Sequence, residues 1–62
     1  MYHIWITIYK DGKFVGRSMY WNMYARKGYA ERIARMRYDK PTKNGLTFEW
    51  IVAEENPFMK GE

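Results

Sequence analysis

Residues 2–21, YHIWITIYKDGKFVGRSMYW, decide the fold of this chain. Within them Ile4, Ile6 and Ile8 recur with period two, which is typical of a strand with one buried face. Asp11-Gly12 interrupts the alternation, and a second alternating run follows it. The stretch therefore predicts a β-hairpin whose first strand carries the apolar face of the domain.

The turn at Asp11-Gly12 allows two strand registers. A two-residue primed turn pairs Ile6 with Arg17 and so places a charge on the isoleucine face, which is costly. A three-residue turn with a glycine bulge pairs Ile8 with Phe14 and turns Arg17 outward. We favour the three-residue turn, because it buries Phe14 with the isoleucines and leaves the charge in water.

The apolar spacing changes after the hairpin and predicts a helix over residues 23–38 with Asn22 as its N-cap. Four apolar residues form the stripe expected to face the sheet: Ala25, Tyr29, Ile33 and Met36. Ala30 and Ala34 are expected on the flank of this stripe, where small side chains allow a close approach to the sheet. Pro41 ends the helix, because proline cannot continue it.

A third strand is predicted after the helix, where four large apolar residues alternate with other residues: Leu46, Phe48, Trp50 and Val52. A right-handed crossover from the second strand through the helix places the first strand in the centre. We therefore expect a small ββαβ domain of the α+β class, with a three-stranded antiparallel sheet in the order 2-1-3 and one helix packed on one face. The domain is predicted over residues 1–56, with a C-terminal tail over 57–62.

The sheet face away from the helix is expected to be more apolar than a monomer usually exposes. Rings and cations are interleaved there, as on sheets that stack the bases of single-stranded nucleic acid: Trp5, Tyr9, Lys13 and Arg17. The composition equally suits protein contact, including self-association. The residues expected to stack bases or to meet a partner are Trp5, Tyr9, Met19, Trp21 and Ile51. Glu49 favours protein contact, and a fold-back of Pro57-Phe58 over part of the face is a third possibility.

The formal net charge is +4, and the charges are unevenly placed. Residues 1–44 hold ten basic and three acidic residues, whereas residues 45–62 hold one basic and four acidic residues. Such asymmetry indicates an anionic partner for the first part of the chain. The predicted phosphate contacts are Arg26, Lys27, Arg32, Arg35 and Arg37 of the helix, with Lys13 and Arg17 of the hairpin. Helix-spaced pairs of Glu31 with Lys27 and Arg35 are expected to neutralise part of this charge.

Catalytic and metal chemistry have little support in the sequence. The chain has no cysteine and a single histidine, His3, which excludes thiolate sites and histidine pairs. The glycines are scattered and form no phosphate-binding loop. We expect no enzyme activity, no cofactor and no small-molecule substrate, and the lack of a long apolar run predicts a soluble cytoplasmic protein with no membrane partner.

The sequence thus predicts a small non-catalytic binding module. Its leading function is nucleic-acid binding through the basic helix and the aromatic and basic sheet face. The alternative is a protein-interaction module, an inhibitor or adaptor that masks a partner through the apolar sheet face or forms a homodimer through it. The basic helix is expected to contact either nucleic acid or an acidic protein surface. The paired aromatic motifs of the common RNA-binding sheet, zinc ligands and a helix-turn-helix pattern are absent from the sequence.

Overall fold

The computed structural model describes residues 1–59, so residues 60–62 of the predicted tail lie outside the described part. Three strands, one α-helix and a short 3-10 helix follow one another along the chain: β1 (Tyr2–Lys10), β2 (Lys13–Tyr24), α1 (Lys27–Tyr38), β3 (Leu46–Ala53) and the 3-10 helix Pro57–Met59. The strands form one antiparallel sheet in the order β2-β1-β3, and α1 packs on one of its faces. The predicted ββαβ fold is confirmed.

The isoleucine strand forms the centre of the sheet because it is paired on both sides. Ile4 is completely buried and Ile6 nearly so, opposite Val52 and Trp50 of β3. The remaining buried apolar residues come from the helix and from the last residue of β2: Ala30, Ala34 and Tyr24. The core is therefore one thin layer between a helix and a sheet.

The face that α1 turns to the sheet differs from the predicted stripe. Ala30 and Ala34 are fully buried, whereas 75 % of Met36 and 54 % of Tyr29 are exposed. Alanines at positions i and i+4 share one face of a helix, and their small side chains let the helix backbone approach the sheet closely. Ile33 packs at the edge of this contact. The predicted flank is thus the buried face.

The helix also begins later than predicted, at Lys27, because β2 continues through Tyr24. Its N-cap residue is Arg26, which makes no side-chain capping hydrogen bond. The predicted cap, Asn22, lies within β2, where its side-chain oxygen accepts a hydrogen bond of 2.9 Å from the backbone N–H of Met23.

The hairpin adopts neither predicted register in full. Asp11 and Gly12 have φ angles of 52° and 82°, which is the two-residue primed turn that we did not favour. A bulge at Val15 follows this turn and shifts the register by one residue. Arg17 consequently lies on the outer face, as predicted, but opposite Thr7 instead of beside Trp5.

Phe14 is the residue that the favoured register placed wrongly. It pairs with Tyr9 and is 59 % exposed, instead of packing opposite Ile8. The position opposite Ile8 is taken by Gly16. The bulge explains this difference. It lets the hairpin keep the two-residue turn, which pairs Phe14 with Tyr9, and it still turns Arg17 away from the isoleucine face.

A second irregularity shapes the far end of β2. His3 pairs with Met23 and Trp5 pairs with Met19, so residues 20–22 all lie opposite Ile4. The extra residues bend β2. No helix in the part of the chain described here is long and apolar enough to cross a lipid bilayer.

Candidate nucleic-acid interface and outer sheet face

The predicted helix cations are all exposed: Arg26, Lys27, Arg32, Arg35 and Arg37. Within residues 1–59 the one ion pair joins the amino group of Met1 to the Glu54 carboxylate at 3.4 Å. Glu31 therefore forms no ion pair with Lys27 or Arg35, although the helical spacing allows it.

Two of these cations lie on the exposed side of the helix. At 3.6 residues per turn, Arg32 and Arg35 lie on the side away from the buried Ala30 and Ala34. Arg35 and Arg37 occupy the last turn, where cations interact favourably with the helix dipole. Arg32 and Arg35 thus present positive charge on the solvent side of α1, whereas Lys27 and Arg37, at the two ends of the helix, are exposed but lie nearer the face of Ala30 and Ala34.

Arg37 joins the helix to the bent end of β2. Its guanidinium carbon lies 4.9 Å from the centre of the Tyr20 ring, a cation–π geometry. The Tyr20 ring also packs edge-on against Tyr38, with 6.2 Å between the ring centres. Burial raises the pKa of the Tyr38 phenol above its usual value, so this ring stays neutral.

Trp21 extends this cluster into solvent. Its ring centre lies 5.6 Å from that of Tyr20 and the rings are tilted by 44°, yet 77 % of the tryptophan is exposed. Such exposure is unusual for a large aromatic side chain. Trp21 therefore offers an exposed ring next to Tyr20, the ring on which Arg37 packs. We call α1 with its four cations and the N-cap Arg26, together with Tyr20 and Trp21, the helix side of the domain.

An open groove lies at the start of the helix. It has a volume of about 640 Å³ and is lined by Ala25, Arg26, Gly28, Tyr29 and Arg32. Tyr29 packs edge-on against Tyr24, with 5.4 Å between the ring centres. Two cations thus border a groove with an aromatic wall on the helix side.

The outer face of the sheet is a separate surface on the opposite side of the domain. Thr7, at its centre, is only 8 % exposed and has Arg17 and Glu49 as its cross-strand neighbours. Beside it, Trp5 has Met19 and Ile51 as its neighbours, which are 41 % and 47 % exposed.

The two rings predicted to stack bases on this face already have partners. The indole N–H of Trp5 donates a hydrogen bond of 3.1 Å to the Ala53 carbonyl, and the ring meets Phe58 edge-on. The Tyr9 hydroxyl donates a hydrogen bond of 3.0 Å to Glu49 Oε1. This hydrogen bond raises the pKa of Tyr9 above its usual value, so the hydroxyl remains the donor.

Phe58 shows that the C-terminal segment folds back over part of the outer face. The guanidinium carbon of Arg17 lies 4.7 Å from the centre of the Phe58 ring and 5.4 Å from that of Phe14. The backbone N–H of Phe58 donates a hydrogen bond of 2.9 Å to the side-chain oxygen of Asn56, which fixes the turn. Phe58 covers Trp5 and Arg17, and it leaves both Met19 on β2 and Ile51 on β3 exposed.

The structure therefore distributes the predicted site residues over two surfaces. The helix cations and Trp21 lie on the helix side, whereas the outer face holds Trp5, Tyr9, Arg17, Met19 and Ile51. Lys13 stands apart from the helix cations, opposite Lys10 beside the hairpin turn. Tyr20 was not among the residues predicted from the sequence, although an aromatic residue next to Trp21 in an alternating strand indicated it.

Metal-binding groups are sparse in this part of the molecule. No cluster of three or more potential metal ligands occurs within residues 1–59. The His3 ring packs edge-on against Trp5 with 5.7 Å between the ring centres, and its Nδ1 is buried without a hydrogen-bond partner there.

Comparison of the chain with known protein families, with curated proteins and with solved structures finds no match.

Proposed function

We propose that the protein binds single-stranded nucleic acid through the helix side of the domain. The observation that carries this proposal is the set of five exposed helix cations, which have no carboxylate partner within residues 1–59, beside the exposed ring of Trp21. Arginine and lysine neutralise phosphates and release counterions, which supplies most of the affinity for a nucleic-acid backbone.

The exposure of Trp21 favours a single-stranded ligand over a duplex. A base stacks on a free aromatic ring only when it is not already paired and stacked within a helix. Trp21 is 77 % exposed and packs against Tyr20, and Arg37 stays exposed while it packs on the same Tyr20 ring. Phosphate contacts and base stacking are therefore available within the same surface.

The outer sheet face supports this function less. Glu49 places a negative charge there, and the Tyr9 hydroxyl is committed to it. Trp5 is hydrogen-bonded to the backbone and partly covered by Phe58.

Neutralising two helix cations is expected to weaken binding to every single-stranded sequence alike. Log affinity falls with log salt at a slope of about 0.7 per phosphate neutralised on a single strand, so Arg32→Gln with Arg35→Gln should lower this slope by up to about 1.4. Fluorescence-anisotropy titrations of labelled oligonucleotides at several salt concentrations measure this slope. The matched control, Lys10→Gln with Lys13→Gln, removes the same charge beside the hairpin turn and should change the slope less. No binding of DNA or RNA by the parent at low salt would refute the proposal.

Removing the exposed ring is expected to discriminate between single strands and duplexes. Trp21→Ala should cost about 1 to 3 kcal/mol of binding free energy for single strands and little for a duplex of the same sequence. Trp5→Ala is the matched control, because it removes the same ring from the outer face. A larger loss from Trp5→Ala would move the stacking site to the outer face.

Protein contact is the second candidate function, and the exposure of Met19 and Ile51 on the outer face favours it. Apolar side chains grouped around a tryptophan are typical of interface centres. This surface is on the side opposite the helix, so the two functions do not compete.

A further inference from the structure

The outer face carries two cross-strand rows whose ends are complementary. In the first row, Arg17 on β2 and Glu49 on β3 stand on either side of Thr7. The row therefore has a cation at one end and an anion at the other. A surface with this arrangement is complementary to itself after a rotation that exchanges its two ends.

The second row has the same property in apolar form. Met19 on β2 and Ile51 on β3 stand on either side of Trp5, and both are more than 40 % exposed. Exchanging the ends of this row places one apolar side chain on the other.

We propose that the outer face is the interface of a symmetric homodimer, with the twofold axis running along β1 between the two sheets. Rotation about this axis keeps each row at its own height and exchanges its ends. Arg17 of each copy then lies over Glu49 of the other, and Met19 lies over Ile51. Such an interface is isologous, and its strands pack in the aligned manner of a β-sandwich.

The charges of the first row select this axis over the alternative. Within residues 1–59, Arg17 forms no ion pair, and the Glu49 carboxylate accepts its hydrogen bond from neutral Tyr9. Both charges are thus available to a second copy. An axis across the strands, through the same row, would place Arg17 on Arg17 and Glu49 on Glu49, which like-charge repulsion disfavours.

Phe58 fits the same symmetry. Its ring contacts Trp5 and Arg17, so it thickens the β2 half of the face and leaves the β3 half lower. The rotation brings Phe58 of each copy over the β3 half of the other, where Ile51 is exposed. The raised half of one copy therefore fills the lower half of its partner.

The size of the face sets the expected strength. The sheet is three strands wide in a molecule of 32 × 30 × 15 Å. Strands are about 4.8 Å apart, so the contact area is at or below the roughly 800 Å² per partner of a standard interface. We expect a dimer with a dissociation constant in the micromolar range or weaker.

Charge reversal tests the axis directly. The parent should show a concentration-dependent monomer–dimer equilibrium by sedimentation velocity between about 10 µM and about 1 mM. Arg17→Glu and Glu49→Arg each turn two attractions into repulsions, so each variant alone should raise the dissociation constant about tenfold or more.

Rescue distinguishes this axis from general damage to the surface. An equimolar mixture of the Arg17→Glu and Glu49→Arg variants should form a heterodimer, because each site then pairs unlike charges. The double variant Arg17→Glu with Glu49→Arg should dimerise again for the same reason. The Arg17→Glu chain of the mixture and the double variant both still lack the contacts of Arg17 with Phe14 and Phe58, so rescue reports the pairing between copies.

Several results would overturn the proposal. The first is a parent protein that stays monomeric at about 1 mM. The second is a dissociation constant that neither charge reversal changes. The third is a mixture of the two variants that fails to associate although circular dichroism shows that both are folded. The oligonucleotide titrations use the opposite face, so their outcome is independent of this one.

Discussion

Ile4→Ala is expected to lower the free energy of unfolding by about 3 to 4 kcal/mol and to leave a large unfolded fraction at room temperature. Ile4 is completely buried at the centre of the sheet, between β2 and β3 and beneath the helix. A domain of this length buries only about 60 % of its unfolded surface, so its total stability is small. Urea denaturation followed by circular dichroism measures the loss as a lower midpoint with an unchanged slope.

Ile51→Ala is the matched control, since it makes the same chemical change on the outer face. Ile51 is 47 % exposed, and its loss should stay within about 1 kcal/mol at concentrations where the protein is monomeric. Equal losses from the two substitutions would contradict the arrangement of the sheet.

Ala34→Leu is expected to cost about 1 to 3 kcal/mol, because the added side chain has no space where the helix meets the sheet. Ala34 is fully buried. Ala25→Leu, on an exposed residue before the helix, should be nearly neutral and serves as the control. Thermal or urea unfolding of both variants measures the difference. Met36→Ala should also lower the free energy of unfolding only slightly. If Met36→Ala were instead the most destabilising of the three substitutions, Met36 would face the sheet, as the sequence predicted.

The strands were predictable because their signal depends only on alternation. Ile4, Ile6 and Ile8 alternate with polar or aromatic residues, and the large residues of β3 do the same. Once three strands and one helix are placed, the handedness of the crossover leaves one strand order. The fold class follows from these features.

The buried face of the helix was not predictable from hydrophobicity alone. Met36 and Tyr29 are larger and more apolar than the alanines, yet the sheet accepts the helix on Ala30 and Ala34. The close approach of the helix to the sheet decides this, and a single sequence does not show that distance. The available indication in the sequence was the pair of small residues four positions apart, Ala30 and Ala34, which could mark the face that packs on the sheet.

The two bulges in β2 were equally hidden. Each bulge is defined by how β2 pairs with β1. The sequence of β2 alone is compatible with a regular strand and with a bulged one. They turn Arg17 outward and place residues 20–22 opposite Ile4. The helix cations were therefore visible in the sequence, whereas the contact of Trp21 with Tyr20 and, through it, with Arg37 was not.

The central position of β1 has a consequence for how the chain is made. β1 leaves the ribosome first, but one of its two neighbours, β3, emerges only after β2 and the whole helix. Until then the nascent hairpin carries an unpaired strand edge and a row of uncovered isoleucines, the features that lead strands to join other chains. The growing chain is thus most prone to aggregation in the interval before β3 arrives.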